Sequence, residues 1–344
     1  MSSTSYAVLA KARAKYGKFL TDRDYESLIV SQSVPEVMVY LKSHTRFAPV
    51  LSGVSERDVH RGMLESLLRQ YQFNEFDSLC RYDTGNTAGF SHFFAEKSEV
   101  EQIIRFLILL NSNATEKFIF RYPAYLSKRI ELDLNRIAGA HDYDEFLKAL
   151  EGTSYHEILK EFKPDEKGRL PVSEIENRLY ARVSEHLLTF INEQTSGGER
   201  RELSDLFRKF NDYSIVSRIL RLKKYYQLPP EAVKATVMPE FGSMSPKLVD
   251  KLCEAESDGE VMQILHTTRY GKLYEKVDDA RGREVGPAVQ YRLAKKYLHF
   301  SDNPSVVMAA FMFLSETELM NVISLIEGVR YRLDPKHIRS LLIR

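Results

Sequence analysis

Apolar residues recur along most of the chain at intervals of three and four positions, with polar and charged residues between them. Clear examples are Met63, Leu64, Leu67, Leu68 and Tyr71, and later Ile175, Leu179, Val183, Leu187, Phe190 and Ile191. This spacing places the apolar side chains on one face of an α-helix. Alternating β-branched segments bounded by Asn-Gly or Asp-Gly turns form no series here. The pattern predicts an all-α fold, with roughly two thirds or more of the residues helical, against about one third in ordinary soluble proteins.

A short motif, Ser-x-x-Glu followed by two aliphatic residues or Met, occurs at residues 33–38, 154–159 and 257–262. In such a motif the Ser hydroxyl accepts a hydrogen bond from an unpaired backbone amide, and the Glu reaches back to the Ser amide. The motif therefore predicts a helix start at each copy. Thr45-Arg46-Phe47 after the first copy is echoed by Thr268-Arg269-Tyr270 after the third, whereas the second copy ends at Phe162 without Thr-Arg.

A second echo joins residues 226–233 to residues 331–338, through the shared pattern Tyr-x-Leu-x-Pro. Its spacing is close to that between the second and third capping motifs. Two motifs that agree in this way predict an internal repeat. We expect three copies of one helical unit, at residues 1–126, 127–236 and 237–344. The alternative is chance, since capping motifs are common in helical proteins rich in Ser, Glu and Leu.

Composition narrows the possible functions. A chain of 344 residues can bury a large core in two or three folding units, and 49 Lys and Arg against 48 Asp and Glu favour no polyanion. Cys80 and Cys253 form no CxxC pair, which is typical of a reducing compartment. The start of the chain lacks the apolar stretch of a secretory signal. The longest apolar runs, 106–110 and 306–314, are well short of the roughly 20 residues that cross a bilayer. We expect any membrane contact to run through partner proteins.

No residue pattern predicts catalysis. The nine His residues are dispersed without an HExxH motif, and Gly197-Gly198 lacks the Gly-Lys-Ser/Thr of a phosphate loop. Paired acids such as Asp278-Asp279 are interpreted as solvated loop charge. We expect no catalytic, cofactor-binding or metal-binding residues, so the isolated protein should neither hydrolyse ATP nor need a metal.

One stretch, residues 215–226, has a biased composition. Placed on a helix, Ile215, Ile219 and Leu222 line one side, while the opposite side carries Arg218, Arg221, Lys224 and Tyr225. A basic face edged by an aromatic ring is a candidate site for an acidic protein partner, and less so for nucleic acid. An ordinary solvated face is the alternative. The candidate partner-binding residues are Arg218, Arg221 and Lys224.

The whole chain resembles the family of C subunits from the V-type ATPases of bacteria and archaea, whose eukaryotic counterpart is the d subunit. The resemblance rests on three segments and on their order: residues 6–20, residues 218–226 and residues 326–331. It implies three similar helical domains that form a funnel with pseudo-threefold symmetry. It also implies a non-catalytic role.

The resemblance further implies that the chain seats the central stalk on the cytoplasmic face of the membrane proteolipid ring. ATP hydrolysis or synthesis would thereby be linked to proton or sodium transport. The expected partners are the central stalk subunits and the proteolipid ring, with no nucleic acid and no direct membrane contact. The expected location is peripheral, on the cytoplasmic side of the membrane. The alternative function is a general helical-repeat scaffold for soluble proteins. A third, weaker hypothesis is RNA binding through the face at Arg218.

Overall fold

The computed structural model confirms the predicted fold class. It describes residues 3–80, 87–118, 130–271 and 285–344. Helices make up 74% of the structure, and the described ranges contain 17 α-helices and no strand. The acidic pair at residues 278–279 and the predicted boundary at residue 126 lie outside those ranges.

The α-helices differ widely in length, and short helical turns lie between some of them. In chain order they are α1 (Ser3–Tyr16), α2 (Asp22–Ile29), α3 (Val34–His44), α4 (Ala48–Leu51), α5 (Arg61–Cys80), α6 (Thr87–Asn111), α7 (Leu134–Ala138), α8 (Tyr143–Ala149), α9 (Ser154–Leu159), α10 (Val172–Gln194), α11 (Gly197–Arg221), α12 (Pro230–Lys234), α13 (Pro246–Glu254), α14 (Asp258–His266), α15 (Val285–Phe300), α16 (Pro304–Arg330) and α17 (Pro335–Leu341). Two 3₁₀ turns (Thr115–Lys117 and Pro239–Phe241) and one π turn (Leu222–Tyr226) complete the described elements.

Four apolar cores organise these helices. A hub core joins α1 to the C-terminal halves of α5, α10 and α15 and to the N-terminal halves of α11 and α16. Three outer cores surround the opposite halves of the long helices. The second outer core lies between α6 and α10 and includes α7 to α9. The third lies between α11 and α15 and includes α12 to α14.

The first outer core is assembled from both ends of the chain. It packs α2 to α4 and the N-terminal half of α5 against the C-terminal half of α16, with Ile338 of α17 and Leu342 beside them. Each outer core therefore has the same plan, with short helices between two long ones. The domain boundaries at residues 126 and 236 stay predictions.

Helix α16 is the most apolar element in the chain. By length and composition it is the one described helix that could cross a membrane, but 83% of its most apolar stretch is buried inside the protein. The run at residues 306–314 packs into the hub core. Burial by the protein's own helices thus accounts for this apolar stretch.

The capping motif recurs three times, but its second copy is not the predicted one. In each true copy the cap side chain accepts from the backbone amide three residues later, and the Glu at that position accepts from the amide just before the cap. The pairs are Ser33 with Glu36, Asp142 with Glu145, and Ser257 with Glu260.

The predicted capping box at Ser154 is wrong. Thr153 occupies the N-cap of α9 and makes no side-chain cap bond, and the Ser154 hydroxyl donates instead to Glu131 at 2.6 Å. The predicted motif required Ser at the cap, whereas Asp142 makes the same bond.

The Thr-Arg-aromatic motif also has a second copy, in residues 153–155. Its three Thr hydroxyls, those of Thr45, Thr153 and Thr268, donate to a backbone carbonyl of the preceding helical turn. The aromatic rings two residues later, of Phe47, Tyr155 and Tyr270, are all buried. A guanidinium lies about 5 Å from each ring centre; it belongs to Arg46, Arg182 and Arg269 respectively. In the second copy the cation therefore comes from α10, because Ser154 replaces the Arg.

Each outer core also holds a buried acid, on a long helix, that accepts backbone N–H groups at the start of a short helix. These acids accept backbone N–H groups from the one or two residues that precede an N-cap, and they are Glu99 on α6, Asp212 on α11 and Glu318 on α16. Buried carboxylates need such donors, because an unpaired charge away from water is strongly unfavourable. The acid fixes the start of the short helix that follows, which is α7, α13 and α2 in the same order.

Candidate partner-binding surface

The predicted basic face lies at the C-terminal end of α11. Ile215 and Ile219 point into the third outer core and are buried, as predicted. After Arg221 the helix widens into the π turn Leu222–Tyr226. The turn ends at Gln227, whose φ of 48° lies in the left-handed region. Turns of this kind shift side chains relative to a regular helix and are frequent at functional sites.

Arg218 does not belong to the exposed face. Its Nη1 donates to the side-chain oxygen of Asn177 on α10 at 2.9 Å, and also to the backbone carbonyl of Thr236. The half-buried guanidinium thus ties α11 to α10 and to the loop after α12. The charge of Arg218 is directed into the protein. Its predicted role as a partner contact stays a proposal, and its position does not support that role.

Arg221 and Lys224 are exposed, as the prediction requires. Tyr225 and Tyr226 beside them are 60% and 65% exposed, so two adjacent rings face solvent here. The Lys224 ammonium lies 5.7 Å from the centre of the Tyr225 ring. Lys223, by contrast, is buried. We call the set Arg221, Lys224, Tyr225 and Tyr226 the α11 tip.

Charge at the α11 tip is of one sign. Between Asp212 and Glu231 the sequence contains four Lys and Arg and no acidic residue. Two of those cations, Arg218 and Lys223, are turned inward, which leaves Arg221 and Lys224 to face solvent. Exposed Tyr and Arg residues are enriched where proteins bind one another. The surface can therefore attract and pack against an acidic protein partner.

A second surface feature is an open groove of about 450 Å³ between α6 and α10. Its lining includes the apolar side chains of Ile104, Ile108 and Leu109 as well as acidic and basic side chains. The mixed charges favour no particular ligand.

Metal-ligating side chains do not cluster in the part of the chain that the structure describes. No group of three or more His, Cys, Asp or Glu residues there could hold a metal ion. Cys253 is buried, and burial raises the pKa of its thiol to about 11, so the reactive thiolate is disfavoured.

Comparison with known proteins gives two findings. A family model described as "ATP synthase (C/AC39) subunit" matches residues 8–341. A curated relative, the C subunit of the A-type ATP synthase of Methanosphaera stadtmanae, is 24% identical over 268 residues. That alignment covers 77% of this chain and 66% of the relative, just under two thirds of its length. The family match spans all four apolar cores.

Proposed function

Since the chain belongs to the ATP synthase (C/AC39) subunit family, we propose that it is a non-catalytic rotor subunit of an A/V-type ATP synthase. In this proposal it seats the central stalk on the membrane proteolipid ring, on the cytoplasmic side. The observation that carries the proposal is the family match over residues 8–341. The relative's name, which makes it the C subunit of an A-type ATP synthase, points the same way.

The fold supports a connecting role rather than a chemical one. Three outer cores of one plan packed on a hub provide a framework with several faces for partners. Such a framework fits the funnel with pseudo-threefold symmetry that the family resemblance implies. A rigid connector transmits torque better than a flexible one, because little of the rotation is lost in bending.

Purification from membranes tests this function. The chain is tagged, expressed in the organism from which it comes and extracted from membranes in mild detergent. It should then bring down proteolipid and central stalk subunits in fixed proportion. Recovery of soluble partners alone would instead favour the general scaffold. As a control, the tag should be placed on an unrelated soluble protein.

Coupling is the second readout. Cells that lack the protein should retain ATP hydrolysis in the soluble head of the complex but lose ATP-driven ion transport, and the wild-type chain should restore it. Loss of hydrolysis and transport together would argue for a role in the catalytic head.

A further inference from the structure

The ends of α11 and α16 are built alike. Gln227 and Arg332, one residue after Tyr226 and Tyr331, both adopt a left-handed backbone, with φ of 48° and 54°. Each is followed by Leu and, two residues later, by the Pro that begins the next short helix, α12 or α17. The sequence echo between residues 226–233 and 331–338 is therefore an echo between the third and first outer cores.

The third member of this set is the end of α6. Asn113 has the same left-handed backbone, with φ of 48°. The amide after it, of Ala114, bonds to the carbonyl of Leu109 at 2.9 Å, as the amide of Leu333 bonds to Gly328 at 2.9 Å. These bonds are the C-terminal cap of a helix that ends in a left-handed residue. At the position of the two tyrosines, α6 has Ser112.

Two of the three helix ends thus expose an aromatic ring. Tyr226 and Tyr331 are each 65% exposed, and a basic side chain lies against an exposed ring at each tip. The Arg330 guanidinium lies 5.1 Å from the centre of the Tyr331 ring, as Lys224 lies beside Tyr225 at the α11 tip. We call Arg330, Tyr331, Arg332 and Leu333 the α16 tip.

The excess charge at the α16 tip is also positive. Glu327 is engaged by Arg61 at 2.6 Å and by Arg330 at 3.3 Å, while Arg332 and Lys336 are exposed. Asp334 is the exposed acid between them. The two tips therefore share an exposed ring, a basic flank and a left-handed residue directly after the tyrosine. The end of α6 has the left-handed residue but carries Ser112 in place of the tyrosine.

We propose that the α11 and α16 tips are two equivalent docking points for an acidic protein surface, carried by another protein of the same complex. This inference rests on the proposed function. Each tyrosine supplies apolar contact area with few rotatable bonds, so little conformational entropy is lost on binding. The adjacent cations orient the acidic partner and exclude basic ones.

An anionic membrane is the competing occupant, because Tyr, Lys and Arg also occur at bilayer surfaces. Lipid-binding patches use about four to eight clustered cations. The α11 tip presents two, since Arg218 and Lys223 are turned inward. This low number of exposed cations favours the protein partner.

The test replaces each tyrosine by the residue that the third helix end already carries. Full-length Tyr226→Ser/Tyr331→Ser is compared with the wild type for binding to membranes from a strain that lacks this protein. Phe300→Ser is the matched control, because Phe300 is 79% exposed but lies at the end of α15, outside both tips. Thermal unfolding of all variants checks that they remain folded.

We expect the double Tyr variant to bind at least tenfold more weakly, and Phe300→Ser within about twofold of the wild type. Arg221→Gln/Lys224→Gln/Arg332→Gln should also bind more weakly and should show less dependence on salt. Wild-type affinity in the double Tyr variant would overturn the docking proposal while leaving the proposed function intact. Failure of the wild type itself to bind would overturn the proposed function and the docking proposal with it.

Binding to lipid vesicles distinguishes a lipid partner from a protein partner. Vesicles of phosphatidylcholine with phosphatidylserine, and of phosphatidylcholine alone, are tested with the same variants. We expect the wild type and the double Tyr variant to behave alike on both. Binding to the anionic vesicles that is lost in the double Tyr variant would overturn the protein partner in favour of lipid headgroups.

Discussion

Arg46 and Glu318 form a buried ion pair within the first outer core. The guanidinium lies 3.9 Å from the centre of the Phe19 ring, and Glu318 accepts from both Arg46 and the amide of Leu20. Burial raises the pKa of the Glu318 carboxyl above 4.5, while Arg46 acts in the opposite direction. A buried pair of this kind contributes little net stability, but loss of one partner leaves an uncompensated charge.

We predict that Arg46→Met lowers the free energy of unfolding by about 3–5 kcal/mol at pH 8. Folding raises the pKa of Glu318, so protonation of this carboxyl stabilises the folded state at low pH, and that stabilisation is lost as pH rises above 4.5. Without Arg46, which lowers this pKa, Glu318 takes up a proton more readily. The deficit should therefore be smaller at pH 5. Urea unfolding at both pH values measures it.

Arg69→Met is the control for that experiment. Arg69 forms an exposed pair with Glu65, and such pairs contribute about 0–1 kcal/mol. An equal deficit at pH 5 and pH 8 in Arg46→Met would show that Glu318 does not take up a proton when its partner is removed.

Arg218 and Arg221 are neighbours on the helical surface but have different roles. We predict that Arg218→Ala lowers the free energy of unfolding by about 1–3 kcal/mol, because Asn177 and the Thr236 carbonyl lose their donor. Arg221→Ala should change it by less than about 0.5 kcal/mol. Chemical denaturation of the two variants compares them directly, and equal values would mean that the Arg218 bonds contribute nothing.

The helical period could not separate these two arginines. It predicted correctly that Ile215 and Ile219 are buried, because apolar spacing reports which side of a helix faces the core. Arg218 is covered by a loop whose carbonyl at Thr236 is 18 residues further along the chain. A contact of that kind depends on how the chain folds back, which the local pattern does not contain.

At the scale of elements, the cap at Asp142 defines the second copy of the repeat. We predict that Asp142→Ala destabilises the protein by about 1 kcal/mol, because the amide of Glu145 loses its acceptor. Asp142→Ser should differ from the wild type by only a few tenths, since Ser33 and Ser257 fill this position in the other two copies. Thermal unfolding compares the variants. A loss as large for Ser as for Ala would mean that the cap bond is not the cause.

The same element shows how far a sequence motif can be trusted. At Ser33 and Ser257 the predicted helix starts and Ser cap bonds form. The Glu of each motif accepts from the amide of the residue before the Ser, rather than from the Ser amide as predicted. The remaining motif was predicted at the wrong helix, because Glu157 lies three residues after Ser154 and matches the motif by chance. The true cap is Asp142, at the start of α8. The side chains of Ser, Thr, Asp and Asn all accept the same hydrogen bond from the backbone, so a repeat can keep this bond while its amino acids change.

At the scale of the whole molecule, the order of the cores differs from the order of the chain. The all-α class follows from periodicity alone, but internal echoes relate consecutive segments of the sequence. They could not show that α17, near residue 338, packs beside α2. Asn321 and Ile343 exchange two hydrogen bonds, and Arg339 binds Glu26 at 2.5 Å, which fastens this junction.

This junction leads to the last prediction, which concerns independent stability of the outer cores. Ile338 is buried in the first outer core, and its Cγ1 lies 2.8 Å from where a Cβ on Gly328 would be. Ile338→Ala should lower the local stability by about 2–5 kcal/mol, because it leaves a cavity between α16 and α17. Hydrogen exchange should then accelerate in α2 and α3, at the opposite end of the chain, and much less in α8 and α9.

Leu159→Ala is the matched control, since Leu159 is equally buried but belongs to the second outer core. It should accelerate exchange in α8 and α9 and leave α2 and α3 close to the wild type. Each outer core would then open separately around a stable hub, as expected when a structure consists of locally cooperative units. If either variant accelerates exchange equally in both sets of helices, the cores unfold together, and the first one gains no separate stability from joining the two ends of the chain.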